Sequence, residues 1–142
     1  MLSLKRPVAD LCIVCSDFGE SVHFYRDLLG FEEVLDIRIP EETATGAQLA
    51  PRAFRQIRVK AGETLIKLME IESPPKPRTG EFQAGVRWLT FIVDDVPATM
   101  KKLQAKGVDF MSDPLRAPDA EWIVCAKGPD GMLIELVQPF DE

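Results

Sequence analysis

The chain has 142 residues, 46% hydrophobic and 28% charged, with a formal net charge of −6. That length buries roughly two thirds of the unfolded surface, enough for a real core in one domain or two intimate halves. The charge disfavours nucleic acid and anionic membranes, no apolar run approaches the roughly 20 residues of a membrane helix, and the N-terminus lacks the apolar core of a signal peptide. A cytoplasmic protein without nucleic-acid or membrane partners is therefore expected.

Residues 10–15 read as a strand with Asp10, Cys12 and Val14 on one face and Leu11, Ile13 and Cys15 on the other. Cys12 and Cys15 thus point apart and cannot chelate one metal or close a disulfide. With Cys125 the cysteine count is odd, which argues against a disulfide framework. Asp17 is the expected N-cap of a helix, with Glu20 completing a capping box. Phe18, Val22, Tyr25 and Leu29 make its apolar stripe, and Gly30 stops it. His23, the one histidine, lies off that stripe and is expected in solvent.

Residues 31–39 read as a second strand and 40–52 as a loop, long enough to be a lid or disordered. Residues 53–60 and 64–71 alternate around Ala61-Gly62-Glu63, which predicts a hairpin. Its second strand puts Leu65, Lys67 and Met69 on one face. Arg55 and Arg58 face oppositely, so Arg52, Arg55 and Arg58 make no single anion clamp. Residues 72–85 hold three prolines and two glycines and read as a linker.

The plan then repeats. Trp88, Thr90 and Ile92 share one strand face, and Leu89, Phe91 and Val93 the other. Asp95 caps a helix with Pro97 in its first turn, a stripe of Val96, Met100 and Leu103, and a stop at Gly107. Lys101 and Lys102 are its solvated side. A short strand is expected at 108–111, a loop at 112–120, and strands at 121–126 and 132–138 joined by the turn Lys127-Gly128-Pro129-Asp130-Gly131. The last strand places Leu133, Glu135 and Val137 on one face. Laying Asp17 over Asp95 aligns the halves as two βαβββ modules, 1–71 and 86–142, joined by 72–85. The expected class is α+β with about eight strands.

The stretches VCSDFGESVHFYRDLLGFE, TFIVDDVPATMKKLQAKGV and GPDGMLIELVQP, in this order, make the chain resemble the vicinal oxygen chelate superfamily, also called glyoxalase/bleomycin resistance/dioxygenase proteins. The resemblance implies two βαβββ modules whose sheets curl into a half-open barrel around a pocket, and a homodimer. Enzymes of that family usually hold one divalent metal there. Their ligands, His, Gln or Glu, stand at the start of the first strand and in the last strand of each module. Carried over, these positions fall on Asp10, Lys67, Trp88 and Glu135, and only Glu135 keeps the expected type.

A catalytic metal needs about three ligands with lone pairs. Trp88 offers none, and Lys67 puts a cation where the metal would sit. No metal or other cofactor is therefore expected; Asp10 and Glu135 would be the ligands of one that bound. Lys67, held by Asp10 and Glu135, is the expected substitute for the metal, and Trp88 offers a surface for stacking a flat ligand. The expected ligand pocket is Asp10, Cys12, Lys67, Met69, Trp88, Thr90 and Glu135, with no catalytic residue assigned. Two functions follow from the resemblance. One is metal-free binding or sequestration of a small, flat or aromatic molecule, as bleomycin resistance proteins do. The other is a metal-dependent lyase, epimerase or dioxygenase. The plain alternative is a packed module with one buried ion pair.

Overall fold

In the computed structural model, which describes residues 1–79 and 82–141, the two aligned aspartates do the same job. Asp17 (φ −134°, ψ 102°) accepts the Glu20 amide at 3.1 Å, and Asp95 (φ −147°, ψ 102°) accepts the Ala98 amide at 2.9 Å. Each satisfies an amide that the first helical turn leaves unpaired. The chain divides into two units, Met1–Pro77 and Arg78–Glu142, a division that falls inside the proline-rich stretch. Positions 80 and 81 of the predicted linker, and residue 142, lie outside the described residues.

The first unit contains β1 (Leu11–Val14), α1 (Phe18–Val22), β2 (Glu32–Ile39), α2 (Glu41–Gly46), β3 (Phe54–Ala61) and β4 (Thr64–Glu70). Its sheet runs β1-β4-β3-β2, with β1 parallel to β4 and the other pairs antiparallel. The second unit contains β5 (Trp88–Ile92), α3 (Val96–Ala105), β6 (Leu115–Ala117), β7 (Ala120–Lys127) and β8 (Leu133–Gln138), in the matching order β5-β8-β7-β6. The α+β class and the repeat of four strands per module are thus as expected. The helix carries the chain from the first strand to the far edge of each sheet, a crossover too long for a tight turn, and the first strand then pairs in parallel with the last.

One face of each sheet is covered by its helix. Ile13, Ile57, Val59, Ile66 and Leu68 are buried with Val22 and Tyr25 in the first module. Val124, Ile134 and Leu136 are buried with Val96, Met100 and Leu103 in the second. Each fully buried aliphatic side chain contributes about 1.5–3 kcal/mol. The opposite faces are more open: Cys12, Val14, Leu35 and Ile37 are exposed on one sheet, and Trp88, Thr90 and Ile92 on the other. β1, apolar on both faces, is thus covered on one of them.

Three further elements differ from expectation. The first helix turns π-helical at His23–Leu28, with the Leu29 amide bonded to the Phe24 carbonyl at 2.9 Å. The wider turn brings Phe24 as well as Tyr25 inward, while Leu29 is only half-buried. Residues 40–52 are not one loop. Pro40 stands at the N-cap of α2, Glu41 and Glu42 favour the positive helix end, and Ala44 is buried against Phe54, Met69 and Ile71. In the second module, 108–111 forms only the bridge Phe110–Ala126, and the edge strand is β6, inside the predicted loop. Pro114 separates the two pieces, since proline has no amide to donate to β7. Among the described residues, no helix is long and apolar enough to cross a membrane.

Candidate functional site

The seven residues expected to line a pocket all come from β1 and β4 or from β5 and β8, or stand just before them. On the first module's open face, Cys12 lies opposite Lys67, and Lys67 opposite Arg58. The next rung pairs Val14 with Met69 and Met69 with Gln56. Met69 is 4% exposed, held in the cluster under α2. Gln56 is buried and links two of its neighbours: its Nε2 donates to Cys12 Sγ at 3.8 Å, and its Oε1 accepts from Arg58 Nε at 3.1 Å. Cys12 is exposed, yet partial desolvation against the sheet pushes its thiol above the ordinary pKa; Lys67, Gln56 and Arg58 pull the other way.

Asp10 precedes β1, and its Oδ1 accepts the Leu65 amide at 2.8 Å. That bond fixes the start of β4 rather than the lysine, and within the described residues of this module Lys67 joins no ion pair. The Asp10–Lys67 pair expected from the sequence is thereby corrected. Asp10 is drawn to an unpaired backbone amide close to its own strand end, which it reaches without ordering a long lysine side chain.

On the second module's open face, Trp88, Thr90 and Glu135 form a hydrogen-bonded chain. Trp88 Nε1 donates to Thr90 Oγ1 at 3.0 Å, and Thr90 Oγ1 donates to Glu135 Oε1 at 2.8 Å. The chain exists because β5 and β8 are parallel with Thr90 opposite Glu135, and because residues two apart on a strand share a face. Cys125 sits on the other side of Glu135. Its thiol is pushed up by burial first and by the Glu135 carboxylate second, with Arg87 opposing. Trp88 is 48% exposed, while the one polar atom of its side chain is satisfied.

A family model describing the Glyoxalase/Bleomycin resistance protein/Dioxygenase superfamily matches residues 8–136. The chain belongs to that superfamily. It is 26% identical over 138 residues to the uncharacterized protein YwkD of Bacillus subtilis, covering 95% of this chain and 98% of YwkD. Among solved structures it resembles TnmS3, an antibiotic binding protein from Streptomyces sp. CB03234, with a TM-score of 0.68 and 23% identity over 99% of this chain and 100% of that one. A glyoxalase family protein from Bacillus cereus superposes with a TM-score of 0.77 and 16% identity, covering 99% and 97% of the two chains. At these identities the structures speak for the shared fold.

The four superfamily metal positions do not fit a metal here. Lys67 has no lone pair when charged and Trp88 has none, which leaves only the carboxylates of Asp10 and Glu135, fewer than the three ligands a catalytic metal needs; each already accepts one hydrogen bond. Among the described residues, no three His, Cys, Asp or Glu side chains gather to hold an ion. The cavities among the described residues include one of about 690 Å³ beside Arg38, Glu41, Arg52 and Glu70, and one of about 280 Å³ beside Arg78, Arg87, Lys127 and Met132. Neither is lined by any of the seven expected residues.

Sequence reasoning missed Gln56 and Arg58. The signal was the hairpin length. The connection is the two-residue Gly62-Glu63, with Gly62 at φ +61° and Ala61 paired to Thr64. That register alone sets Arg58 against Lys67.

Proposed function

We propose that this superfamily member binds a small, flat organic molecule without a catalytic metal, and that its open sheet faces supply the contacts. The observation that carries this reading is the Trp88–Thr90–Glu135 chain. An indole stands where superfamily enzymes place a metal ligand, its N–H is already bonded, and its exposed ring is left for stacking. An antibiotic binding protein shares this fold, so sequestration is among the roles the fold can carry. The homodimer implied by the resemblance belongs to the same reading, and sedimentation velocity decides it.

Two measurements test the proposal. Metal content is read by mass spectrometry before and after incubation with Zn, Ni, Mn and Fe, with Glu135→Ala as control. Near-stoichiometric metal that disappears in Glu135→Ala would overturn the metal-free reading and favour a lyase, epimerase or dioxygenase. Separately, the neutral flat probe 2-naphthamide is titrated while the Trp88 indole N–H resonance is followed. A saturable shift, lost in Trp88→Ala, is expected; no shift removes stacking on Trp88.

A further inference from the structure

Arg58 and Lys67 are like charges placed directly opposite each other across β3 and β4, an arrangement that destabilises a sheet unless something offsets it. Most other strand and helix cations of the first module's described residues are paired; Arg38, opposite Arg55 on the edge strand, joins no ion pair but is exposed to water. Arg26 meets Asp27 and Glu33, Arg55 meets Asp36 and Glu70, and Lys60 meets Glu63. For Arg58 and Lys67, no acidic side chain among the module's described residues forms an ion pair. Asp10, the acid of β1's open face, is engaged by the Leu65 amide.

The two cations are also built in rather than left dangling. Both are half-buried near the middle of the sheet. Arg58 is anchored through Nε to Gln56, itself only 6% exposed, which leaves its two terminal nitrogens for another acceptor. A guanidinium fixed in this way and beside an ammonium matches the paired oxygens of a carboxylate or phosphate. Leu35 lies opposite Arg58 on β2, and Ile37 opposite Gln56, so an apolar wall adjoins the cations. Cys12 completes the rung on the far side of Lys67.

We propose that Arg58 and Lys67 form the receptor for an anionic group, a carboxylate or a phosphate, on the small organic ligand, whose apolar body lies along Leu35 and Ile37. Gln56 is the positioning residue that orients the guanidinium. This inference rests on the ligand-binding reading above and adds the charge class of the ligand. It also explains why a chain of net charge −6 concentrates unpaired positive charge on this face: a local cationic site captures an anion that the rest of the surface repels.

The test uses the full chain, labelled with ¹³C and ¹⁵N, titrated at constant ionic strength with 2-naphthoate, 2-naphthyl phosphate and 2-naphthamide. The readouts are the Arg58 Nε–H and Lys67 Cε resonances. The anions are expected to shift both residues along one saturable isotherm and to bind at least about tenfold tighter than the amide, the factor of one charge-assisted contact. Whichever anion binds tighter identifies the carboxylate or the phosphate as the group read. Arg58→Met and Lys67→Met are expected to erase the preference, and Arg58→Lys to retain part of it.

Equal binding of all three probes overturns the anion receptor while leaving the ligand-binding reading intact. Shifts that grow without saturating mean general ionic screening and overturn it too. If none of the three binds, the ligand-binding reading fails. Inorganic phosphate alone, added to the same sample, then decides the receptor: saturable shifts at both residues uphold it, and their absence overturns it. These titrations use the unmodified protein, so a variant that does not fold leaves them decisive.

Discussion

Lys67 and Glu135 occupy the same register position in two sheets of the same strand order. Lys67 faces Cys12 on β1 and Arg58 on β3; Glu135 faces Thr90 on β5 and Cys125 on β7. The repeat that lays Asp17 over Asp95 lays Cys12 over Thr90. The modules have kept backbone and caps while reversing the charge at this rung. Backbone pairing and core packing constrain the covered face, whereas the open face is free to diverge.

The caps should be equivalent in energy as they are in geometry. Asp17→Ala and Asp95→Ala are each expected to cost about 0.5–2 kcal/mol, and the corresponding Asn variants much less, because Asn still accepts the amide. Urea denaturation checks this: the midpoint should fall with the slope unchanged.

The Trp88–Thr90–Glu135 chain should behave as coupled bonds. Thr90→Val removes the hydroxyl that accepts from Trp88 and donates to Glu135, at an expected cost of about 1 kcal/mol. A double-mutant cycle with Trp88→Phe should return a coupling of about 0.5–1.5 kcal/mol. The Trp88 indole N–H resonance should move in Thr90→Val, and an unmoved signal would mean the bond is absent in solution.

Acid stability should depend on Asp36. The Arg55 guanidinium, bonded to both Asp36 oxygens at 2.8 and 2.7 Å, holds this carboxyl below its ordinary range. The folded pKa lies below the unfolded one, so the unfolded state binds the proton more readily. The contribution is therefore full above the ordinary carboxylate pKa of about 4 and is lost as pH falls through the depressed folded value. Arg55→Gln should flatten that part of the stability–pH curve by lowering the plateau above about pH 4, and leave the acid end, where the contribution is already lost, nearly unchanged; urea denaturation across the pH range reads this.

Thiol reactivity should separate Cys12 in β1 from Cys15 just after it. Cys15 is 1% exposed, whereas Cys12 is open on the sheet face. Iodoacetamide should label Cys12 first, with a rate still rising through about pH 9 because its thiolate is disfavoured by desolvation. Lys67→Met removes a charge that favours the thiolate and should slow the labelling further. Peptide mass spectrometry reads all three sites.

Gly131 should tolerate no side chain. It sits at φ +73°, and a Cβ there would lie 2.5 Å from the Arg78 carbonyl oxygen. Gly131→Ala should cost at least about 1–3 kcal/mol, measurable by urea denaturation, and should disturb the Arg78 amide bonded to the Asp130 carbonyl.

Local chemistry was sufficient to predict much of this protein. Two aspartate caps, helix stripes ended by glycines and strands alternating by two define a repeated βαβββ unit, because each signal acts over a few residues. Strand parity likewise separated Cys12 from Cys15 and joined Trp88 to Thr90. Other features depended on contacts distant in sequence. Ala44 is helical because Phe54 and Met69 cover it, and the π-helical turn goes with the burial of both Phe24 and Tyr25. Asp10 turns to a backbone amide 55 residues away. The meeting of Arg58 with Lys67 was decided by a two-residue hairpin register, since a slip of one residue would have sent either side chain to the opposite face.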